Sequence, residues 1–395
     1  MDFVNGDPSY DVIVVGARCA GAAAALLLAR RGLRVLVVDK SRHGSDTLST
    51  HALMRGGVLQ LHRWGLLGAV RAAGTPPVSS TTFHYAEEPV EVTIKPRDGV
   101  DALYAPRRTV LDPILANAAA EAGAEILRGP RVVDLLRSSH GRVDGVVLEG
   151  PAGRLRRLRA GLVIGADGVR STVARLVGAP IVRQAQHSTA LFYGYWKDLG
   201  APGYHWYFRP GASAGTIATN DATLCFAAVP QDRFHDDAGA ALETRFIRML
   251  QAGAPELVER VRQSRPVGGL RGYAGQAGFL RRSWGPGWAL VGDAGYFKDP
   301  ATAHGITDAL RDAELIARAV ETGTDEALAE YQWIRDTLST RFFELTDAIA
   351  SFDWDFEKLQ QLHREMSDEM RDEVQYLSGL VAAQPQSRDL VQRVS

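Results

Sequence analysis

The chain is poor in cysteine, in lysine and in net charge, and each shortage closes off a class of function. Cys19 and Cys225 are the only two cysteines. Two, far apart, give neither a disulfide framework nor a metal-ligand spacing, and the histidines show no such spacing either, so no metal is expected. With 395 residues, 46% of them hydrophobic, the chain can bury a large core without a staple. A reducing cytoplasm is the default compartment. Only five of the 45 Lys and Arg residues are lysines, and the formal net charge is −1. That balance leaves no general nucleic-acid footprint. Long apolar runs are missing too. The longest, AGAAAALLLA, has about half the length a membrane span needs, so no membrane span is expected. The start, MDFVNGDPSY, is polar and acidic, unlike a secretory signal.

Length predicts two to three domains, and the pattern along the chain organises them. DVIVV (11–15) reads as a buried strand, CAGAAAALLLARR as a helix stopped by Gly32, and LRVLVVDK as a second strand. Together they have the size of a βαβ unit. Residues 53–73 read as one helix ending at Gly74. RRTVLDPILANAAAEAGAEIL reads as an amphipathic helix running into a strand, followed by strands in RVVDLL, RVDGVVLEG and AGLVIGADG. From about 181 to 230 aromatic runs separated by turns predict an antiparallel sheet. A helical stretch follows over 239–263, then a strand in GWALVGDAG and a helix in ITDALRDAELIARAV. Beyond 325 the pattern is helical.

The densest chemical signal is VVGARCAGAAAA (14–25). Gly16 and Gly21 match the first and last glycines of a dinucleotide fingerprint. Asp39 ends the second strand about 20 residues on, where a carboxylate reaches a ribose hydroxyl. Cys19, Ala20 and Gly21 open a helix whose N–H groups suit a pyrophosphate. Arg18 stands where the second glycine belongs. Its guanidinium either folds back onto a phosphate or lies exposed at a loop tip. Taken alone, the motif also fits a tight turn before an alanine-rich core helix.

Two further motifs narrow the choice. LVIGADGVRSTVAR (162–175) is a strand followed by Asp167 and Gly168. WALVGDAGYFKDPATAHGITDALRDA (288–313) is a strand, then Asp293, a loop stiffened by Pro300, and a helix opening at Gly305. In this order and spacing the three motifs resemble the FAD-dependent oxidoreductases of the para-hydroxybenzoate hydroxylase type, over roughly residues 8–345. That superfamily spans class A flavoprotein monooxygenases, flavin-dependent halogenases and geranylgeranyl reductases. The resemblance implies an α/β fold: a Rossmann-like FAD-binding domain, an inserted antiparallel-sheet substrate domain and C-terminal helices. The boundaries implied are 8–75, 98–180 and 270–345 for the FAD domain, 76–97 and 181–269 for the substrate domain, and 346–395 for the helical segment. It implies FAD as cofactor, with NAD(P)H as a transient reductant, since no second glycine fingerprint is present.

Carried over to this chain, the resemblance assigns the FAD pyrophosphate to Gly16, Arg18, Cys19, Ala20 and Gly21, and the adenosine ribose to Asp39 with Lys40. Arg108, or its rival Arg107, reaches the flavin side. Val132 meets the adenine, Asp167 and Gly168 join FAD and NAD(P)H, and Asp293 holds the ribityl chain. Pro300, Gly305 and Ile306 lie beside the ring, and the loop 46–57 faces it from the other side. His51 and His304 are the candidate bases. Class A hydroxylation asks little more of the protein than positioning the substrate, excluding water and deprotonating a phenol.

The branch is less determined. Gly295 and Tyr296 replace the common Ala-His of the monooxygenase motif, but LRDAELIA matches its helix. The halogenase W-x-W-x-I-P signature is absent and no lysine stands out. YHWYFRP approaches the geranylgeranyl reductase motif, with Arg209 intervening before Pro210. At period two Tyr204, Trp206 and Phe208 share a strand face; with Tyr193 they are the candidate substrate contacts, or ordinary sheet core. The leading expectation is an FAD monooxygenase of an aromatic or polycyclic small molecule, using O2. An isoprenoid double-bond reductase is the runner-up, and a flavin- or ligand-binding protein without turnover is the third reading. A homodimer is compatible with the sequence. GASAG (211–215) mimics a nucleophile elbow, but strand character rather than a helix follows it. RLRRLR (154–159) reads as a solvated hairpin face.

Overall fold

The computed structural model describes residues 9–86, 88–236 and 238–380. The N-terminal residues 1–8, and residues 381–395 of the expected helical segment, lie outside that description.

One sheet carries the glycine motif. Its parallel core runs Trp288–Leu290, Leu155–Gly165, Ser9–Val15, Val35–Asp39 and Glu125–Arg128 in spatial order. The strand Ser9–Val15 lies at its centre, so chain connections leave it in both directions. A crevice opens beyond the carboxyl ends of strands at such a point. The hairpin Arg131–Arg137 and Val143–Glu149 extends antiparallel from Leu155–Gly165.

The helix Cys19–Arg30 is buried from Cys19 to Ala29. Its alanines let it press between the sheet and two other helices, Arg108–Glu121 and Gly305–Thr322. Two glycines set this approach. Gly16 has φ +108°, in the region that favours glycine, and a Cβ there would stand 2.4 Å from the Ala166 carbonyl oxygen. A Cβ on Gly21 would stand 1.9 Å from the Gly16 carbonyl oxygen. Arg18, by contrast, is extended at φ −91° and ψ −169°. That backbone suits any residue, so glycine is not needed there for conformation.

The second large sheet runs Arg265–Pro266, Thr189–Lys197, Ala222–Pro230, Ala212–Thr219, Tyr204–Arg209, Ser80–Tyr85 and Glu88–Thr93. The expected antiparallel block forms over 189–230, and Tyr204–Arg209 joins Ser80–Tyr85 in parallel. Period two holds along it. Leu191, Tyr193, Tyr195, Tyr204, Trp206 and Phe208 face the main core. Ala190, Phe192, Trp196 and Tyr207 face a separate core under the helices Leu242–Gly253 and Pro255–Gln263. GASAG sits in a hairpin: Gly211 turns at φ +73° and the strand Ala212–Thr219 follows.

Two expected helices are each broken in two. The stretch 53–73 becomes Arg55–Arg63 and Leu67–Ala72, because Gly65 takes φ +78° and the chain turns. The stretch 239–263 breaks at Ala254, whose non-helical backbone (φ −151°, ψ 73°) precedes Pro255. After Gly305–Thr322 come two long helices, Asp325–Ala350 and Phe356–Gly379. Among the described residues no helix is long and apolar enough to cross a membrane.

Glycine contacts give the first prediction. Gly21→Ala drives a methyl into backbone and is expected to cost about 2–4 kcal/mol. Gly68→Ala, at an exposed helical site with nothing within 4 Å of the added carbon, is expected to gain about 0.5–1 kcal/mol. Thermal and urea unfolding of the two variants check the contrast, and equal effects would refute it.

Candidate active site

A cavity of about 590 Å3 lies beyond the carboxyl ends of the parallel strands. Its walls collect residues from every motif: Gly16, Arg18, Cys19 and Ala20 from the first turn, Asp39 and Lys40 from the second strand, Val132 from the hairpin, and Asp167 and Gly168 from the second motif. Arg108 enters from the helix it opens, and Asp293, Pro300, Gly305 and Ile306 come from the third motif. His51, His304 and Tyr193 line it as well. Five expected residues do not. Gly21 packs beneath the turn, and Arg107 turns away to stack 4.0 Å over the Tyr195 ring. Tyr204, Trp206 and Phe208 lie deeper in the core between the sheets.

Local hydrogen bonds explain these placements. The Ala17 N–H donates to Asp39 Oδ2 and the Ser41 N–H to Oδ1, both at 2.6 Å. Asp39 thus ties the first turn to the second strand, and each carboxylate oxygen keeps a lone pair for a ligand hydroxyl. Asp167 is held by its own turn: the Ser171 hydroxyl and the Thr172 N–H donate to it, capping the helix Thr172–Leu176. Arg18 stays on the cavity wall, with 32% of its side chain exposed. Its Nη2 donates to the Asp46 carbonyl at 3.4 Å, and Nη1 lies 3.8 Å from Asp112 Oδ2. Asp112 also takes hydrogen bonds from Arg108 Nε at 3.0 Å and Cys19 Sγ at 3.2 Å. Two guanidinium groups around one carboxylate leave this end of the cavity positive.

Asp293 follows the strand Trp288–Leu290, in the turn Gly292–Ala294. It faces the cavity and takes no hydrogen bond from the described residues. Burial pushes its carboxyl up to about 6, against the pull of Arg108 and Lys298. His51 is buried at φ +68°, with Nε2 2.5 Å from the Tyr195 hydroxyl. Burial and the nearby Arg108 hold its imidazole down at about 3.

Some groups at the cavity escaped sequence reasoning. Lys298 lines the cavity, buried, its ammonium against Asp308. Burial and repulsion from Arg311 lower it to about 7. Tyr273, from a short strand beside Thr189–Lys197, also lines it. His304, Asp308 and Glu373 bring their donor atoms within 4.8 Å, the spacing of a metal site. Lys298 and Arg311 already neutralise these carboxylates, so the cluster is an ion-pair network closed by side chains. No local motif marked Glu373, which lies far along the helix Phe356–Gly379.

A second, nearly filled cavity of about 20 Å3 adjoins the first and shares Thr50, Leu191 and Pro300 with it. Trp206, Phe208, Phe226, Ile349, Phe352 and Trp354 enclose it. No charged side chain lines it.

The large cavity fits FAD on this chain's own features. It has the size of a cofactor site, a glycine turn at a helix start, an arginine pair on its wall, and a half-buried carboxylate, Asp293, that takes no hydrogen bond from the described residues.

Comparisons with known proteins agree. Residues 9–346 match the FAD binding domain family. The 6-methylpretetramide 4-monooxygenase of Streptomyces rimosus is 30% identical over 321 residues, covering 77% of this chain and 73% of that protein. Digeranylgeranylglycerophospholipid reductase 2 of Methanococcoides burtonii is 29% identical over 350 residues, covering 82% and 79%. Among solved structures, PqsL of P. aeruginosa in complex with 2-aminobenzoylacetate superposes with a TM-score of 0.76 at 23% identity, covering 90% of this chain and all of that one. At that identity the likeness is one of fold.

Asp293 supplies the second prediction. A carboxyl raised on folding contributes stability that is complete below about pH 4 and lost as pH rises through about 6. Asp293→Asn removes that loss. The variant without FAD is expected to be more stable than the parent by about 1–3 kcal/mol at pH 7.5, with no difference at pH 3.5. Its affinity for FAD is expected to fall about tenfold or more. Unfolding curves at the two pH values and titration with FAD check both; a stability gain that persists at pH 3.5 refutes the electrostatic cause.

Proposed function

The chain belongs to the FAD binding domain family, whose members are FAD-dependent oxidoreductases, and on that premise we propose that it is a monooxygenase. It would use NAD(P)H and O2 to hydroxylate or otherwise oxygenate an aromatic or polycyclic small molecule. The observation that carries this reading is the apolar pocket opening off the flavin cavity at Thr50, Leu191 and Pro300, walled by aromatic rings and free of charge. A neutral, flat, apolar substrate meets no unpaired buried charge there, whereas a charged one would arrive without a counter-ion.

Gly16, Arg18, Cys19 and Ala20 would hold the FAD pyrophosphate, Asp39 the ribose, Val132 the adenine and Asp293 the ribityl hydroxyls. Pro300, Gly305 and Ile306 would border the ring. When bound, FAD supplies the redox and oxygen chemistry. The protein positions the substrate, keeps water out and accepts or donates protons at the two cavity histidines. A cavity nearly filled in this form admits a ring only if Phe352 or Trp354 moves. Both sit in the link between the helices Asp325–Ala350 and Phe356–Gly379, and Phe352 has φ +56°.

A second reading, reduction of isoprenoid double bonds, has its own support. Tyr204, Trp206 and Phe208 share one strand face, as an apolar prenyl chain requires, and a digeranylgeranylglycerophospholipid reductase is among the relatives.

A visible spectrum of the purified protein followed by an NAD(P)H oxidation screen separates the readings. Oxidation stimulated by a phenolic ligand, with label from 18O2 in the product, supports the monooxygenase. Oxygen-independent saturation of a prenyl chain supports the reductase. Protein that neither holds nor takes up FAD defeats both. Trp354→Leu, which trims one of the rings that must move, is expected to lower KM for a monocyclic aromatic ligand by about 5–50-fold, with a smaller change in kcat. An unchanged KM would remove the pocket from the substrate path.

A further inference from the structure

The uncharged pocket beside the large cavity has a floor whose layout follows from the sheet register. Leu191, Ala228, Ser213 and Phe208 stand directly opposite one another on four neighbouring strands. All four line the pocket, so their side chains share one face. In the next row Tyr193, Phe226, Gly215 and Trp206 are aligned in the same way. There a Cβ on Gly215 would stand 2.4 Å from the Phe226 ring, so that ring lies over the glycine. The hollow is left at the two small side chains, Ala228 and Ser213, between Leu191 and Phe208. Leu191 also lines the large cavity, whereas Ser213 does not. Neighbouring strands lie about 4.8 Å apart, which puts Ser213 two strands, about 10 Å, from Leu191 and the flavin side.

A hydroxyl in such surroundings is costly without a partner, and the other polar side chains of the pocket are mostly spent. The Trp206 Nε1–H donates to Thr81 Oγ1 at 3.0 Å, and the Trp354 Nε1–H donates to the Ile349 carbonyl at 2.9 Å. Thr189 Oγ1 is shut into the wall. Two hydroxyls remain. Thr50 lies where the two cavities meet. Ser213 lies on the pocket floor and is 8% exposed. Neither oxygen makes a hydrogen bond to the described residues, yet neither is sealed off as Thr189 Oγ1 is.

We infer that Ser213 is a specificity-determining residue, whose hydroxyl receives a neutral hydroxyl or carbonyl substituent at the end of the aromatic substrate remote from the flavin cavity. The inference rests on the pocket being the substrate site, as proposed above, and narrows the class of substrate. A serine hydroxyl both donates and accepts, so a phenol or a ketone satisfies it. A carboxylate or an ammonium group does not, because no counter-ion lines the pocket. The span of two strands suits fused rings: one ring beside Thr50, Leu191 and Pro300 at the mouth, and the substituted ring over Ser213. A bare hydrocarbon matches the shape but leaves the Ser213 hydroxyl unpaired.

The test compares 2-naphthol with naphthalene, titrated calorimetrically into the full chain supplied with FAD. The quantity read is the ratio of their dissociation constants, naphthalene over 2-naphthol. Ser213→Ala removes one oxygen atom and is expected to lower that ratio about 5–30-fold, chiefly by weakening 2-naphthol. Thr50→Val, at the mouth, is expected to leave the ratio within about twofold of the parent. Ala228→Val narrows the hollow and is expected to weaken both ligands together, by about fivefold or more. An unchanged ratio in Ser213→Ala overturns the role of Ser213. A ratio that falls in Thr50→Val instead also overturns it, by assigning the substituent to the mouth. Both of those results leave the pocket standing as the substrate site. Binding of neither ligand, or binding indifferent to Ala228→Val, defeats the pocket itself and the role of Ser213 with it.

Discussion

The closeness of the helix Cys19–Arg30 to the strand ends beneath it is the constraint on which this structure depends. At Gly21 the helix comes so near the Gly16 carbonyl that no side-chain carbon fits between them. The same helix supports the third motif, where a Cβ on Gly292 would lie 3.0 Å from the Ala20 methyl. Replacing its alanines with larger residues would lift it from the sheet and move Gly16, Ala166 and Gly292 apart. Those three points carry one motif each. The cavity is therefore an outcome of close backbone packing, and the polar residues around it inherit their positions from that packing.

What was legible in the sequence follows from this. Period and small-residue content reveal a strand, a tight turn and a helix that must lie close, so the first turn and Asp39 are readable from a few tens of residues. The third motif is readable for the same reason. Arg18 shows the limit. The sequence marks it as a departure, but its role depends on Asp112 and Asp46, both distant along the chain. The choice between Arg107 and Arg108 likewise turns on geometry. A single step along the chain separates a side chain held by Asp112 on the cavity wall from one stacked on Tyr195.

Misread helix boundaries have a simpler cause. Over 53–73 the apolar period persists through Gly65, but glycine at φ +78° lets the chain turn there. Burial of Leu66, Leu67 and Val70 is kept by the second, shorter helix. Periodicity reports which side chains are buried, and two short helices satisfy it as well as one long one.

Buried charge and buried apolar surface meet the cavity from opposite sides of one loop, Lys298 to His304. On one side Lys298, Asp308, Arg311, Asp312 and Glu373 form a network whose desolvation is expensive, so its presence is weak evidence of a stabilising purpose. On the other, Phe352 and Trp354 close an uncharged pocket. Both sides depend on the chain beyond residue 346, where the family match ends. The shared region thus builds a cavity suited to one cofactor, whereas Phe352, Trp354 and Glu373 come from the part the match does not cover. The groups that close the uncharged pocket, and the carboxylate against His304, therefore reach the cavity wall from outside the matched region.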